Sequence, residues 1–259
     1  IMSCTRYVAH PIASVVVVLL AALALPASAG IITLGDVSPD PTGGVVGVLG
    51  IGNAGAGSVA VDGGSSLTAE KLTMGGGPNG TGSLSVSGAG SSTLVTFLNG
   101  GNIDVGSQGT GSLSVLAGGS FTYGGGGTPC QTNCRVFVSN GAGATGSLLV
   151  NGAGSNFSTV GALIVGNASM FTLAADGGAF GAPGGAANGS AKVEAGGTVN
   201  SSSLTVAQPG GGLARTGTES SSGSVIIDGA TSVWNLVRNA AQTGAQALLR
   251  VATGQNTSG

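Results

Sequence analysis

The stretch Gly146 to Ser169, GSLLVNGAGSNFSTVGALIVGNAS, decides the fold. It opens on a Gly-Ser pair followed by a short apolar strand, bends at Gly152-Ala153-Gly154-Ser155, and returns to strand at Leu163-Ile164-Val165-Gly166. The opening recurs as Gly57-Ser58-Val59-Ala60-Val61, Gly82-Ser83-Leu84-Ser85-Val86, Gly111-Ser112-Leu113-Ser114-Val115, Gly189-Ser190-Ala191-Lys192-Val193 and Gly223-Ser224-Val225-Ile226-Ile227. The anchor glycines stand 25, 29, 35, 43 and 34 residues apart, the spacing of a repeat of about 25–35 residues that carries insertions.

Two further signals keep their place within the unit. A small-residue turn follows the first strand, long in Gly88-Ala89-Gly90-Ser91, Gly152-Ala153-Gly154-Ser155 and Gly229-Ala230-Thr231-Ser232. It is shorter in Gly63-Gly64-Ser65, Gly118-Gly119-Ser120 and Gly196-Gly197-Thr198. A second strand comes later, as in Ile103-Asp104-Val105-Gly106, with Leu204-Thr205-Val206 a weaker copy. One such unit cannot bury its apolar face alone, whereas stacked units can, each strand pairing with its copy at about 4.8 Å. The expected fold is therefore all-β, a parallel β-helix or β-solenoid of glycine-rich repeats over residues 50–259. Leu and Val would form interior ladders, while Ser and Thr would stack outside or bridge turns. An antiparallel sandwich or barrel is the competing arrangement.

Composition supports stacking. Gly supplies 53 of 259 residues, charged residues 6% and aromatics 3%, while hydrophobic residues reach 41% and mean hydropathy is +0.45. That apolar content excludes a disordered polar tail, and the lack of a three-residue Gly period excludes collagen. Seven basic against nine acidic residues argue against a nucleic-acid partner.

The N-terminus reads as an export signal. An apolar run from Ile12 to Leu25 follows Arg6 and precedes Ala27-Ser28-Ala29, so residues 1–29 are expected to be cleaved before Gly30. The run is too short for a comfortable membrane span, and no transmembrane segment is expected in the mature chain. Residues 30–49 would form a lead-in or partial cap. Cleavage removes His10, the sole histidine, and with it any Ser-His-Asp triad or His-ligated metal.

The segments Gly146 to Ser169 and Gly82 to Gly106, GSLSVSGAGSSTLVTFLNGGNIDVG, together with Gly223 to Trp234, resemble the repeat shared by autotransporter-like (type V secretion) passengers and PEP-CTERM-associated exported proteins. Related copies cover most of Gly50 to Gly259. The resemblance implies a right-handed parallel β-helix displayed at, or secreted from, a Gram-negative cell, with roles in adhesion, aggregation and surface coating. Two features depart from it: no translocating β-barrel and no Val-Pro-Glu-Pro tail follow the repeats. Val251 to Gly259 parallels Val138 to Gly146 and stops just before the next expected Ser, so the array is expected to run on.

Few residues suggest chemistry. Cys130 and Cys134, in TPCQTNCR, form an even pair once Cys4 is removed and are the candidate structural disulfide, with two free thiols as the alternative. Gly141 to Gly146 matches G-x-G-x-x-G, but a strand follows rather than a helix, so it reads as a repeat turn. The acids Asp36, Asp40, Asp62, Glu70, Asp104, Asp176, Glu194, Glu219 and Asp228 are scattered over different repeats and read as solvated surface charge. A glycosidase needs two carboxylates about 5–9 Å apart, which only adjacent rungs would supply. Asp36-Val37-Ser38-Pro39-Asp40 reads as a turn rather than a calcium loop. Asn79-Gly80-Thr81 likewise reads as a turn rather than a glycosylation acceptor. Trp234 aligns with Phe157 and reads as structural rather than sugar-stacking.

The sequence thus leads to an exported, non-enzymatic surface or extracellular protein without cofactor or metal. Its partners would be glycans, extracellular matrix or other cell surfaces, met along an extended face or through insertions at Gly124 to Cys134 and Asp176 to Asn188. End-to-end self-association is a further expectation, and a carbohydrate-active β-helix lyase or hydrolase is the competing class.

Overall fold

The computed structural model describes residues 30–96, 102–124, 134–141, 143–167, 186–208, 220–237, 248–251 and 257–258. Residues 1–29, where an export signal is expected, and Cys130, Asp176 and Glu219 lie outside the described residues. All regular structure among the described residues is β, with no helix. The strands form one eight-stranded and one thirteen-stranded sheet, and pairing is parallel except at the N-terminal edge.

The Gly-Ser strands Ala56–Asp62, Thr81–Ser87, Thr110–Leu116, Thr145–Asn151, Ala186–Glu194 and Ser220–Ile227 pair in that order. Their register places Gly57, Gly82, Gly111, Gly146, Gly189 and Gly223 side by side, so all six anchors read from the sequence stand in one column. Sterics explain the column. A Cβ built on Gly111 would lie 2.0 Å from the Gly106 nitrogen and 2.5 Å from the Val105 carbonyl carbon. The glycine faces inward onto backbone, and no side chain fits there. The two inward positions that follow carry aliphatic residues, as in Leu84 and Val86 or Leu113 and Val115, which are fully buried. Each such burial contributes roughly 1.5–3 kcal/mol.

Two more ladders complete the core. Ser66–Met74 is a long strand that pairs through its first half with Ser92–Val95 and through its second half with Ile103–Val105. The first branch continues through Ser120–Tyr123, Asn156–Thr159, Thr198–Ser201 and Val233–Leu236. The other continues through Arg135–Asn140, Ala162–Asn167, Ser203–Gln208 and Leu248–Val251. The sequence reading recovered this last ladder but, beyond matching Trp234 with Phe157, not the first branch, whose four-residue strands bury a second column (Val95, Tyr123, Thr159, Ser201) besides a varied first one. That column runs Leu67, Thr93, Phe121, Phe157, Val199 and Trp234. Phe121 and Phe157 stack with ring centroids 5.3 Å apart and planes 6° apart.

The two turn lengths alternate along the ladders. The short turns are centred on Gly63-Gly64, Ala117-Gly118 and Ala195-Gly196, and all six residues have positive φ, as in a type I′ turn. The long turns contribute Ser91, Ser155 and Ser232, whose hydroxyls accept from the amides of Gly64, Gly118 and Gly196 on the preceding rung at 3.0–3.1 Å. Neighbouring rungs are therefore unlike and interlock in pairs.

At the N-terminal edge Gly30–Gly35 runs antiparallel to Ala56–Asp62, and Val37–Ser38 runs antiparallel to Val45–Ile51. The Asp36 carboxylate joins them to the stack by accepting from the amides of Ala54 and Gly55 at 2.6 and 3.0 Å. Large exposed apolar side chains, among the described residues, occur only on the first rungs (Ile32, Leu34, Val45, Val48) and the last, from Ile226 to Val251.

Candidate functional site

The feature that repeats on every rung is polar. Period-two alternation sends the residue after each anchor glycine outward, so Ser58, Ser83, Ser112, Ser147, Ser190 and Ser224 form a column in register. These hydroxyls make no hydrogen bond to another described residue, unlike the turn serines. Thr81, Thr110 and Thr145 stand two residues before them, and Ser85 and Ser114 two residues after. The result is an array of short hydroxyls about 4.8 Å apart between rungs and roughly 6.7 Å apart along each strand. Between Asp62 on the first of these strands and Lys192, Glu194 and Asp228 at the last two, this face carries no charge.

The described acids have distinct environments. Two backbone donors hold the Asp36 carboxyl below its ordinary value. Asp40 accepts from the Thr42 amide at 3.0 Å, but Val37–Ser38 is a short strand paired with Val45–Ile51, so the segment Asp36 to Asp40 is a strand between two bends rather than the single turn expected. Glu194 pairs with Lys192 through one oxygen and accepts from Asn151 at 2.8 Å through the other. Asp228 directly follows Ile227, the register partner of Val193, so Glu194 and Asp228 occupy adjacent rungs. Hydrogen bonding and charge from Glu194, with a smaller contribution from Asp228, hold the Lys192 ammonium above its ordinary value. Two acids thus act on one cation here.

Asp104 departs from the solvated expectation. It lies on the outward side of Ile103–Val105, yet it is only 7% exposed, and its register partner Phe137 and the following Ile164 are buried too. This part of the sheet is covered on both faces, so alternation alone misplaces the carboxyl. Asn140 donates to Asp104 at 2.6 Å and Asn167 donates to Asn140 at 2.8 Å, a buried polar chain across three rungs. Burial pushes the Asp104 carboxyl up, partly opposed by Asn140 and by Lys71. Burial, with the nearby Asp104 charge, also pushes the Tyr123 phenol up.

The remaining candidates resolve as follows. Trp234 packs against the core and donates to the Ser201 hydroxyl at 3.1 Å, a structural role in the Phe157 column. Gly141 to Gly146 joins Arg135–Asn140 to Thr145–Asn151, so a strand does follow it. Asn79-Gly80-Thr81 is a bend, with the Gly80 amide on the Gly77 carbonyl, leading into a ladder strand. Cys134 is buried and disulfide-bonded, while Cys130 lies outside the described residues. No group of three His, Cys, Asp or Glu side chains gathers among the described residues, and no described helix is long and apolar enough to cross a membrane. No protein-family model, curated protein or solved structure matches the chain.

Proposed function

We propose that the chain is an exported, right-handed parallel β-helix of the autotransporter-like or PEP-CTERM-associated kind. In this reading it is a non-enzymatic surface or extracellular protein that acts in adhesion or surface coating. The observation that carries it is the hydroxyl column, repeated without a gap over six rungs and unengaged by other described residues. Such a face offers many weak, identical contacts to a glycan, matrix or cell surface, and their strength comes from multiplicity. The helix rather than a parallel barrel is supported by linear strand orders with distinct ends, since a closed barrel pairs its first and last strands.

The test is adsorption of the purified chain to cells and to immobilised polysaccharides, beside small-angle scattering. An elongated particle that binds, and loses binding when Ser83, Ser112 and Ser147 become Glu, is the expected outcome. A compact particle refutes the helix, and unchanged binding by the triple variant refutes the face. The carbohydrate-active alternative has one observation in its favour, the Glu194–Lys192–Asp228 cluster. Release of sugar ends from a polysaccharide, abolished in Glu194→Gln, would replace the non-enzymatic reading. End-to-end association through the apolar rims belongs to the same proposal, and particle mass independent of concentration refutes it.

A further inference from the structure

We propose that Asp104 makes the middle of the stack pH-responsive, tight while its carboxyl carries a proton and loosened once the proton leaves. The argument starts from geometry. The carboxyl lies in the part of the sheet covered on both faces, between Thr73 on one neighbouring rung and Phe137 on the next. Its hydrogen bond from Asn140 serves either protonation state, because an amide donor pairs with a carboxylate or with a carbonyl-type oxygen.

The second observation separates the two states. Asn102 precedes Asp104 by two residues, which in extended chain puts both side chains on one side of the strand. The Asn102 Oδ1 is buried and has no hydrogen-bond partner. An ionised Asp104 offers this oxygen only another acceptor, whereas a protonated Asp104 supplies the donor it lacks. A buried acceptor left unpaired and a buried charge both cost free energy, and one proton relieves both.

The charged and titratable groups around the site leave that balance in place. Lys71, on the preceding rung, favours the ionised form but is itself exposed. Arg135 precedes Val136, the register partner of Ile103, and so lies at the edge of the site on the following rung. Tyr123 on the neighbouring ladder stays a neutral phenol at physiological pH. Burial is the largest influence on Asp104 and raises its proton affinity.

The sign follows. The folded chain keeps a proton that the unfolded chain releases, so stability falls as pH rises from the ordinary carboxylate range through the folded value, then levels off. The device thus favours acidic surroundings.

The experiment follows the Asp104 side-chain carboxyl by carbon NMR in the full chain. Amide exchange at Ile103–Val105 and Val136–Val138 is measured in parallel from about pH 4 to about pH 8. Expected are a titration above the ordinary Asp range and faster exchange as Asp104 ionises. In Asp104→Asn exchange should not change with pH beyond the intrinsic chemical trend, and in Asn102→Ala the carboxyl should titrate lower. An Asp104 that titrates at or below the ordinary range overturns the proposal even if neither variant folds. Equal pH dependence of exchange in wild type and Asp104→Asn overturns it as well.

Discussion

Ser147 and Ser155 belong to the same rung, one half-buried on a strand with no described partner and the other buried in a turn that bonds the preceding rung, so they test the interlocking of rungs. Ser155 is 1% exposed, accepts from the Gly118 amide at 3.0 Å and donates to the Asn151 carbonyl at 2.7 Å. Ser155→Ala removes both bonds. The Asn151 carbonyl keeps the Ala117 amide at 3.0 Å, but the Gly118 amide loses its acceptor. An orphaned, partly buried donor costs about 1–2 kcal/mol, toward the lower end of the usual range because Gly118 is not fully enclosed. Ser147→Ala removes a hydroxyl with no described partner and should stay within about 0.5 kcal/mol of wild type. Chemical denaturation of the two variants gives the comparison. For a chain of this size a loss of 1 kcal/mol lowers Tm by about 2–4 °C. Amide exchange adds a local readout, with the Gly118 amide deprotected in Ser155→Ala and unchanged in Ser147→Ala. Equal effects of the two substitutions would refute the claim that turn serines lock adjacent rungs while ladder serines stay free.

Four other substitutions probe different parts of the stack. Gly111→Ala places a Cβ 2.0 Å from backbone, so the rung must shift at a cost of about 3 kcal/mol or more, seen as loss of soluble protein or of cooperative unfolding. Thr93 is a core residue whose hydroxyl has no partner, and Thr93→Val should raise stability by about 1 kcal/mol in denaturant titration. Ala117 holds φ +50°, so Ala117→Gly should be neutral to stabilising by up to about 1 kcal/mol despite the flexibility of glycine. The Asp36 carboxyl is lowered by its backbone donors, so its contribution is present above the unfolded value and is lost as pH falls through the folded one. Acid should therefore speed amide exchange in Gly30–Gly35 first, and Asp36→Asn should abolish that response.

What was legible in the sequence follows from what each position permits. The Gly-Ser anchor was readable because its glycine is imposed by backbone on the facing corner, so it recurs at every rung whatever the insertions between. The Ser92–Val95 branch was not, because its core column accepts Thr93, Phe121 or Val199 alike and leaves no fixed letter to align. The two turn classes were visible as separate motifs that alternate along the chain, yet only the structure shows that they interlock, since the bond from Gly118 to Ser155 spans 37 residues. Asp104 was misread for a more general reason. Alternation assigns a side chain to a face of the strand but does not say whether that face is wet, and here Phe137 and Ile164 on the following rungs are buried on the same face. Phe137 in Val136-Phe137-Val138 and Ile164 in Leu163-Ile164-Val165 were already present as apolar residues at outward positions, the local signs that this ladder is covered on both sides. A repeat thus announces its inward, sterically constrained positions most clearly. Outward positions other than the anchor serines vary, and whether each is wet or covered must be read from the structure.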